Sequence, residues 1–134
     1  MSRAATVLLH LVIAIAVALV LLTLWQLLLS GDLAAGFGEA VRLLFFFMDI
    51  GLGVWLVLLI VGAVRGWGRG HLVLSALLGV VLNFLTVIVV GFIQDGSAPW
   101  AFMLFAIEAG LAFLVGGVVA ALVVKSPRVG AART

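Results

Sequence analysis

Apolar residues run along this chain in four long blocks, at 4–29, 41–64, 72–93 and 99–124. A hydrocarbon core about 30 Å thick is crossed by about 20 residues at 1.5 Å rise per residue. Each block is therefore long enough for one transmembrane helix, and the residues left over suffice only for termini and short loops. The interruptions carry turn chemistry. Ser30-Gly31-Asp32 and Gly36-Phe37-Gly38 separate the first two blocks, Gly66, Gly68 and Gly70 mark the second connector, and Gln94-Asp95-Gly96-Ser97-Ala98 the third. Pro99 follows, at the opening turn of the fourth block, where a missing N–H leaves no helical bond unmade. The pattern predicts an all-α integral membrane bundle of four transmembrane helices in up-down order, a single domain over 1–134.

Composition sharpens this picture. Of 134 residues, 67% are hydrophobic and 9% charged, too few charges to cover the apolar surface of a water-soluble globule. Zero cysteines exclude disulfides and thiolate chemistry. Arg3 followed by an apolar run resembles the start of a secretory signal, but the run exceeds the usual stretch of about 7 to 15 residues and is read as a retained helix.

Orientation follows from the cations, because short loops rich in Lys and Arg stay cytoplasmic. With both termini inside, Arg3, Arg65, Arg69, Lys125, Arg128 and Arg133 are cytoplasmic and only Arg42 is outside, beside the acids Asp32, Glu39 and Asp95. The expected arrangement is N-in, C-in. Trp25, Trp67 and Trp100, with Arg65 and Arg69, are expected to anchor the bundle at the two interfaces among lipid headgroups. Arginine in excess of lysine, with abundant alanine and glycine, associates with bacterial sequences, so the expected location is a bacterial cytoplasmic (inner) membrane. Scattered cations on such a chain make no nucleic-acid surface.

A tandem two-helix repeat is a further candidate feature. His10-Leu11-Val12 aligns with His71-Leu72-Val73, and Asp49-Ile50-Gly51-Leu52 with Glu108-Ala109-Gly110-Leu111. Two hairpins in the same orientation would then be related by a pseudo-two-fold axis along the membrane normal.

Small and polar residues recur at four-residue spacing, which places them on one helix face. The rows are His10, Ala14 and Ala18; Asp49 and Gly53; Ser75, Gly79, Asn83 and Gly91; and Glu108, Ala112, Gly116 and Ala120. Helices in lipid associate through such faces, by close backbone approach and interhelical hydrogen bonds. Ser75 and Asn83 are thus expected to be interhelical contacts. Asp49 and Glu108 lie about 12 to 14 Å from the outer ends of the second and fourth blocks. An acid at that depth costs about 2.5 to 3.5 kcal/mol on insertion scales. Asp49, Glu108, Asn83 and Arg42 are therefore the candidate proton, ion or interhelical polar site. Arg42 is expected to lie beside Glu39 or to reach Glu108.

His10 and His71 fall near the opposite face from the two acids, so no metal site and no cofactor site is expected. The serines and histidines do not share a depth, so no catalytic triad assembles and an enzyme is not expected. In size and helix count the chain is similar to small multidrug transporters, whose coupling glutamate lies in the first helix, whereas 4–29 holds no acid. In placing an acid in the second helix of each hairpin it is similar to rotary-ATPase proteolipids. Their first helix is patterned with glycine and their hairpin loop is polar and cytoplasmic, whereas 4–29 has no glycine and its loop is expected outside. Both likenesses are architectural. The leading expectation is an accessory, assembly or structural subunit of a larger membrane complex, with membrane lipids and other subunits or self-association as partners. A compact oligomeric proton- or cation-coupled transporter or channel using Asp49 and Glu108 is the alternative.

Overall fold

The computed structural model describes residues 2–66 and 68–124, which form five helices and no strand: α1 Arg3–Ser30, α2 Leu33–Phe47, α3 Asp49–Arg65, α4 Arg69–Asp95 and α5 Trp100–Val123. Trp67, expected as an anchor, and Lys125, Arg128 and Arg133, expected to be cytoplasmic, lie outside the described residues. Three of these helices, α1, α4 and α5, are long and apolar enough to cross a membrane, and α2 with α3 provides a fourth if the bent pair counts as one span.

Local chemistry sets the boundaries. Ser2 caps α1 by accepting from the Ala5 N–H at 3.1 Å, and Asp32 caps α2 by accepting from the Ala34 and Ala35 N–H groups at 3.0 and 3.3 Å. Helices α1, α3 and α4 stop at Gly31, Gly66 and Gly96, whose φ values of 73°, 73° and 70° only glycine adopts without strain. The connector between α1 and α2 is thus just Gly31-Asp32.

The second block departs from expectation. The sequence predicts one helix over 41–64 after a loop through Gly36-Phe37-Gly38; instead α2 begins at Leu33 and is bent from α3 by 68° at Met48. The Asp32 cap starts the helix early, and Gly36 lies inside it as a contact residue. A Cβ there would stand 3.2 Å from the Leu27 backbone nitrogen of α1. A straight helix from Leu33 to Arg65 would measure about 50 Å, far beyond the hydrocarbon thickness of about 30 Å. Breaking it lets α2 lie across α1 and α5 while α3 packs on α4.

The core contains large side chains and small ones in alternation. Trp55 of α3 meets Phe113 of α5 edge to face, ring centroids 5.0 Å apart, and Leu22, Leu43, Leu44 and Met48 are fully enclosed. On α1, His10, Ala14, Ala18 and Leu22 form the buried face, as their spacing predicts. It packs on the Ala112, Gly116 and Ala120 face of α5 so closely that a Cβ on Gly116 would overlap the Ala14 carbonyl. The predicted Asp49 and Gly53 row fails. Both are exposed, and the buried face of α3 is Gly51, Trp55, Leu59 and Gly62. The hairpin of α4 and α5 is closed by Pro99 seated on Gly91.

Much apolar surface remains uncovered, for example Leu28, Val57, Leu74, Val89 and Leu122, as a lipid-facing exterior requires. Gly116→Ala should separate α1 from α5 and lower stability by about 1 to 3 kcal/mol. Gly53→Ala, where a Cβ meets open space, should be neutral or slightly stabilising. Thermal unfolding of the two variants in detergent checks the contrast.

Candidate functional site

A helix break inside an apolar bundle strands backbone groups: carbonyls at the end of α2 and N–H groups at the start of α3. In lipid no water satisfies them, so the protein must. Asn83 of α4 does so with both ends of its amide. Its Nδ2 donates to the Phe47 carbonyl at 2.7 Å, and its Oδ1 accepts from the Gly51 N–H at 3.1 Å. The side chain is only 1% exposed.

The reach of Asn83 depends on glycine. A Cβ on Gly51 would stand 2.7 Å from the Gly79 carbonyl oxygen and 2.9 Å from the Asn83 Cβ, and one on Gly79 would stand 2.8 Å from the Gly51 carbonyl oxygen. The backbones of α3 and α4 therefore touch where the staple is made. Of the two expected interhelical contacts, Asn83 is one, whereas the Ser75 hydroxyl donates within its own helix to the His71 carbonyl at 2.8 Å.

Asp49 stands at the head of α3 and not within a continuous span. Its Oδ1 accepts from the Ile50 N–H at 2.8 Å, and a carboxylate there is favoured by the N-terminal end of the helix dipole by about 0.3 to 1 kcal/mol. The depth expected for a straight span does not carry over to the bent pair. A residue of α2 advances only about 0.6 Å along the α3 axis, against 1.5 Å in a straight helix. The carboxylate opens into a cleft of about 420 Å³ whose walls include Phe46, Phe47, Asn83, Thr86, Gln94 and Phe102.

Glu108 lies elsewhere. It is half-buried in a groove of about 340 Å³ between α1 and α5, with Leu21, Leu22, Trp25, Leu111 and Val115. The two grooves share no lining residue, so Asp49 and Glu108 do not form one site. Arg42 is exposed and pairs with Glu39 at 2.8 Å, with its guanidinium 5.5 Å from the Phe47 ring centre and 6.0 Å from that of Phe105. The expected group of four thus divides: Asp49 and Asn83 share the cleft, Arg42 is held by Glu39, and Glu108 stands apart.

Among the anchors, Trp100 is 74% and Trp25 46% exposed. Arg65 ends α3 and Arg69 begins α4, both exposed at the same connector. His10 is buried, its Nδ1–H donating to the Thr6 carbonyl at 2.9 Å, whereas the matching His71 is exposed. Among the described residues no three His, Asp or Glu side chains gather as metal ligands.

Sequence reasoning missed the break and the Gly51–Gly79 contact. The available signal was length: from the Asp32 cap to Arg65 the chain is too long for one span, and Asp49 is its only polar residue deep in the second block. No protein-family model, curated protein or solved structure matches the chain.

Asn83→Leu should destabilise the fold by about 2 kcal/mol by orphaning two backbone groups. Asn83→Asp, whose carboxyl can keep one donor and one acceptor only in its protonated form, should fall between at acidic pH. Hydrogen exchange of the Gly51 amide provides the local readout and should accelerate in Asn83→Leu alone.

Proposed function

We propose that this protein is a small accessory or assembly subunit of a larger membrane complex, set N-in and C-in in a bacterial cytoplasmic membrane. The observation that supports this reading is the direction in which the Asp49 and Glu108 carboxyl groups open. Each faces a groove on the flank of the bundle, between different helices. The two grooves share no lining residue, and Ala109, Phe113 and Trp55 are packed in the core, each at most 2% exposed. Polar groups on the flank of an apolar bundle serve lateral association, because a partner helix can supply there the hydrogen bonds or charge that lipid cannot.

A compact proton- or cation-coupled carrier is a second reading, favoured by the broken span. Discontinuous helices that present a half-helix end to a cavity are the usual device for holding ions and substrates at depth, and the head of α3 with Asp49 has that form.

Two measurements separate the readings. Affinity-tagged protein extracted in mild detergent from its native membrane should migrate on native gels as part of a discrete heteromeric species. The purified chain in proteoliposomes should show no flux driven by a pH or cation gradient. A chain that runs alone and carries a flux lost in Asp49→Asn is the result that would falsify the subunit reading.

A further inference from the structure

Glu108 is a half-buried ionisable side chain that the described residues leave without a partner. Among the described residues it makes no hydrogen bond and no ion pair, although it is half-buried nine positions into α5, counting Trp100 as the first. The bases of the described chain do not reach it. Arg42 is engaged by Glu39 through three hydrogen bonds of 2.8 to 3.3 Å. Arg3 lies about 30 Å along α1 from Trp25, which shares the groove with Glu108. Arg65 and Arg69 stand at the opposite end of α3 from Asp49.

The walls around it have the form of a helix seat. Glu108, Leu111, Ala112 and Val115 repeat along α5 at spacings of three and four, and Leu21, Leu22 and Trp25 do so along α1. Two parallel apolar ridges with one acid between them match a helix laid lengthwise, with its anchors at every third or fourth position. The lining adds only the Trp25 indole N–H to the carboxyl as polar chemistry. The carboxyl group sets the occupant: on a lipid-exposed flank its natural complement is a base on the incoming helix, which forms a charge-assisted hydrogen bond with it. A second copy is poorly suited to supply it, since its own Arg42 is already paired.

We infer that the groove between α1 and α5 seats a transmembrane helix of a different protein, one that carries an arginine or lysine at the level of Glu108. This rests on the subunit reading above and names the chemistry of the partner.

The absence of cysteine from the chain permits a direct test. Leu111→Cys, on the exposed side of the groove, is reconstituted in phosphatidylcholine vesicles with a synthetic Leu/Ala transmembrane peptide bearing one central Arg and a Cys one turn away. Oxidative cross-linking should exceed that of the same peptide with Leu in place of Arg by about tenfold, the scale of one interhelical polar contact. The preference should vanish when Glu108→Gln is added, and it should be absent at the control site Val57→Cys on α3. Equal cross-linking of the two peptides, or a preference that survives Glu108→Gln, overturns the inference. Leu111→Cys chains that cross-link to one another in place of the Arg peptide also overturn it, and assign the groove to a second copy. A chain that migrates with a partner on native gels yet shows no Arg preference keeps the subunit reading and loses this one.

Discussion

Every backbone N–H and C=O inside a bilayer must find a partner within the protein, and one side chain meets that demand where the chain is broken. The Asn83 amide joins the last carbonyl of α2 to the third N–H of α3. A hydroxyl can donate and accept, but it does so from a single atom. A carboxylate only accepts, and an ammonium only donates. A planar amide has a donor and an acceptor about 2 Å apart, which suits a carbonyl and an N–H on either side of a bend. The geometry of the bend between α2 and α3, and with it the placement of Asp49 and the cleft beside it, depends on this residue.

Close approach is the condition under which the staple works. Gly51 and Gly79 bring two backbones into contact, and Gly116 does the same for α5 against α1. Lipid tails are as apolar as leucine, so little drives helices together except dispersion at such contacts and the hydrogen bonds that short distances allow. Both occur here on the same helices. The small residues at 79, 91, 116 and 117 occupy the inner faces, while large aliphatic ones such as Leu28, Val57, Leu74, Val89 and Leu122 are turned outward.

How much of this was legible in the sequence follows from the physics of each feature. Three of the four blocks became helices within a few residues of their expected ends, because length and hydrophobicity alone define a span. The buried rows on α1 and α4 were legible as well, and so were Ala112, Gly116 and Ala120 on α5, whereas Glu108 at the head of that row is only half-buried, on the flank. The second block was misread because glycine counts as a breaker in water, whereas Gly36 and Gly38 sit inside α2 and Gly36 is a packing surface. The break also shifts the phase of α3: spacing along an unbroken helix places Asp49 and Gly53 on the inner face that Gly51 and Trp55 in fact occupy. The contact between Asn83 and the break joins residues more than thirty positions apart, and no local pattern encodes such a pairing.

The aligned residues of the two halves show how the break changes the role of an acid. Gly51 and Gly110 both face α4, the first against Gly79 and the second against Val80, so the glycines of the two matched segments do equivalent work. The acids two positions earlier do not. Asp49 heads a helix and takes up a free N–H of its own backbone. Glu108 lies in an unbroken helix, where every neighbouring N–H is already committed to a carbonyl one turn away. A carboxyl of the first kind is stabilised by its own chain; one of the second kind needs something outside its helix. Continuity of the backbone, more than depth in the membrane, therefore distinguishes the two acids, and it leaves the flank of α1 and α5 as the side of the bundle with an unmet electrostatic demand.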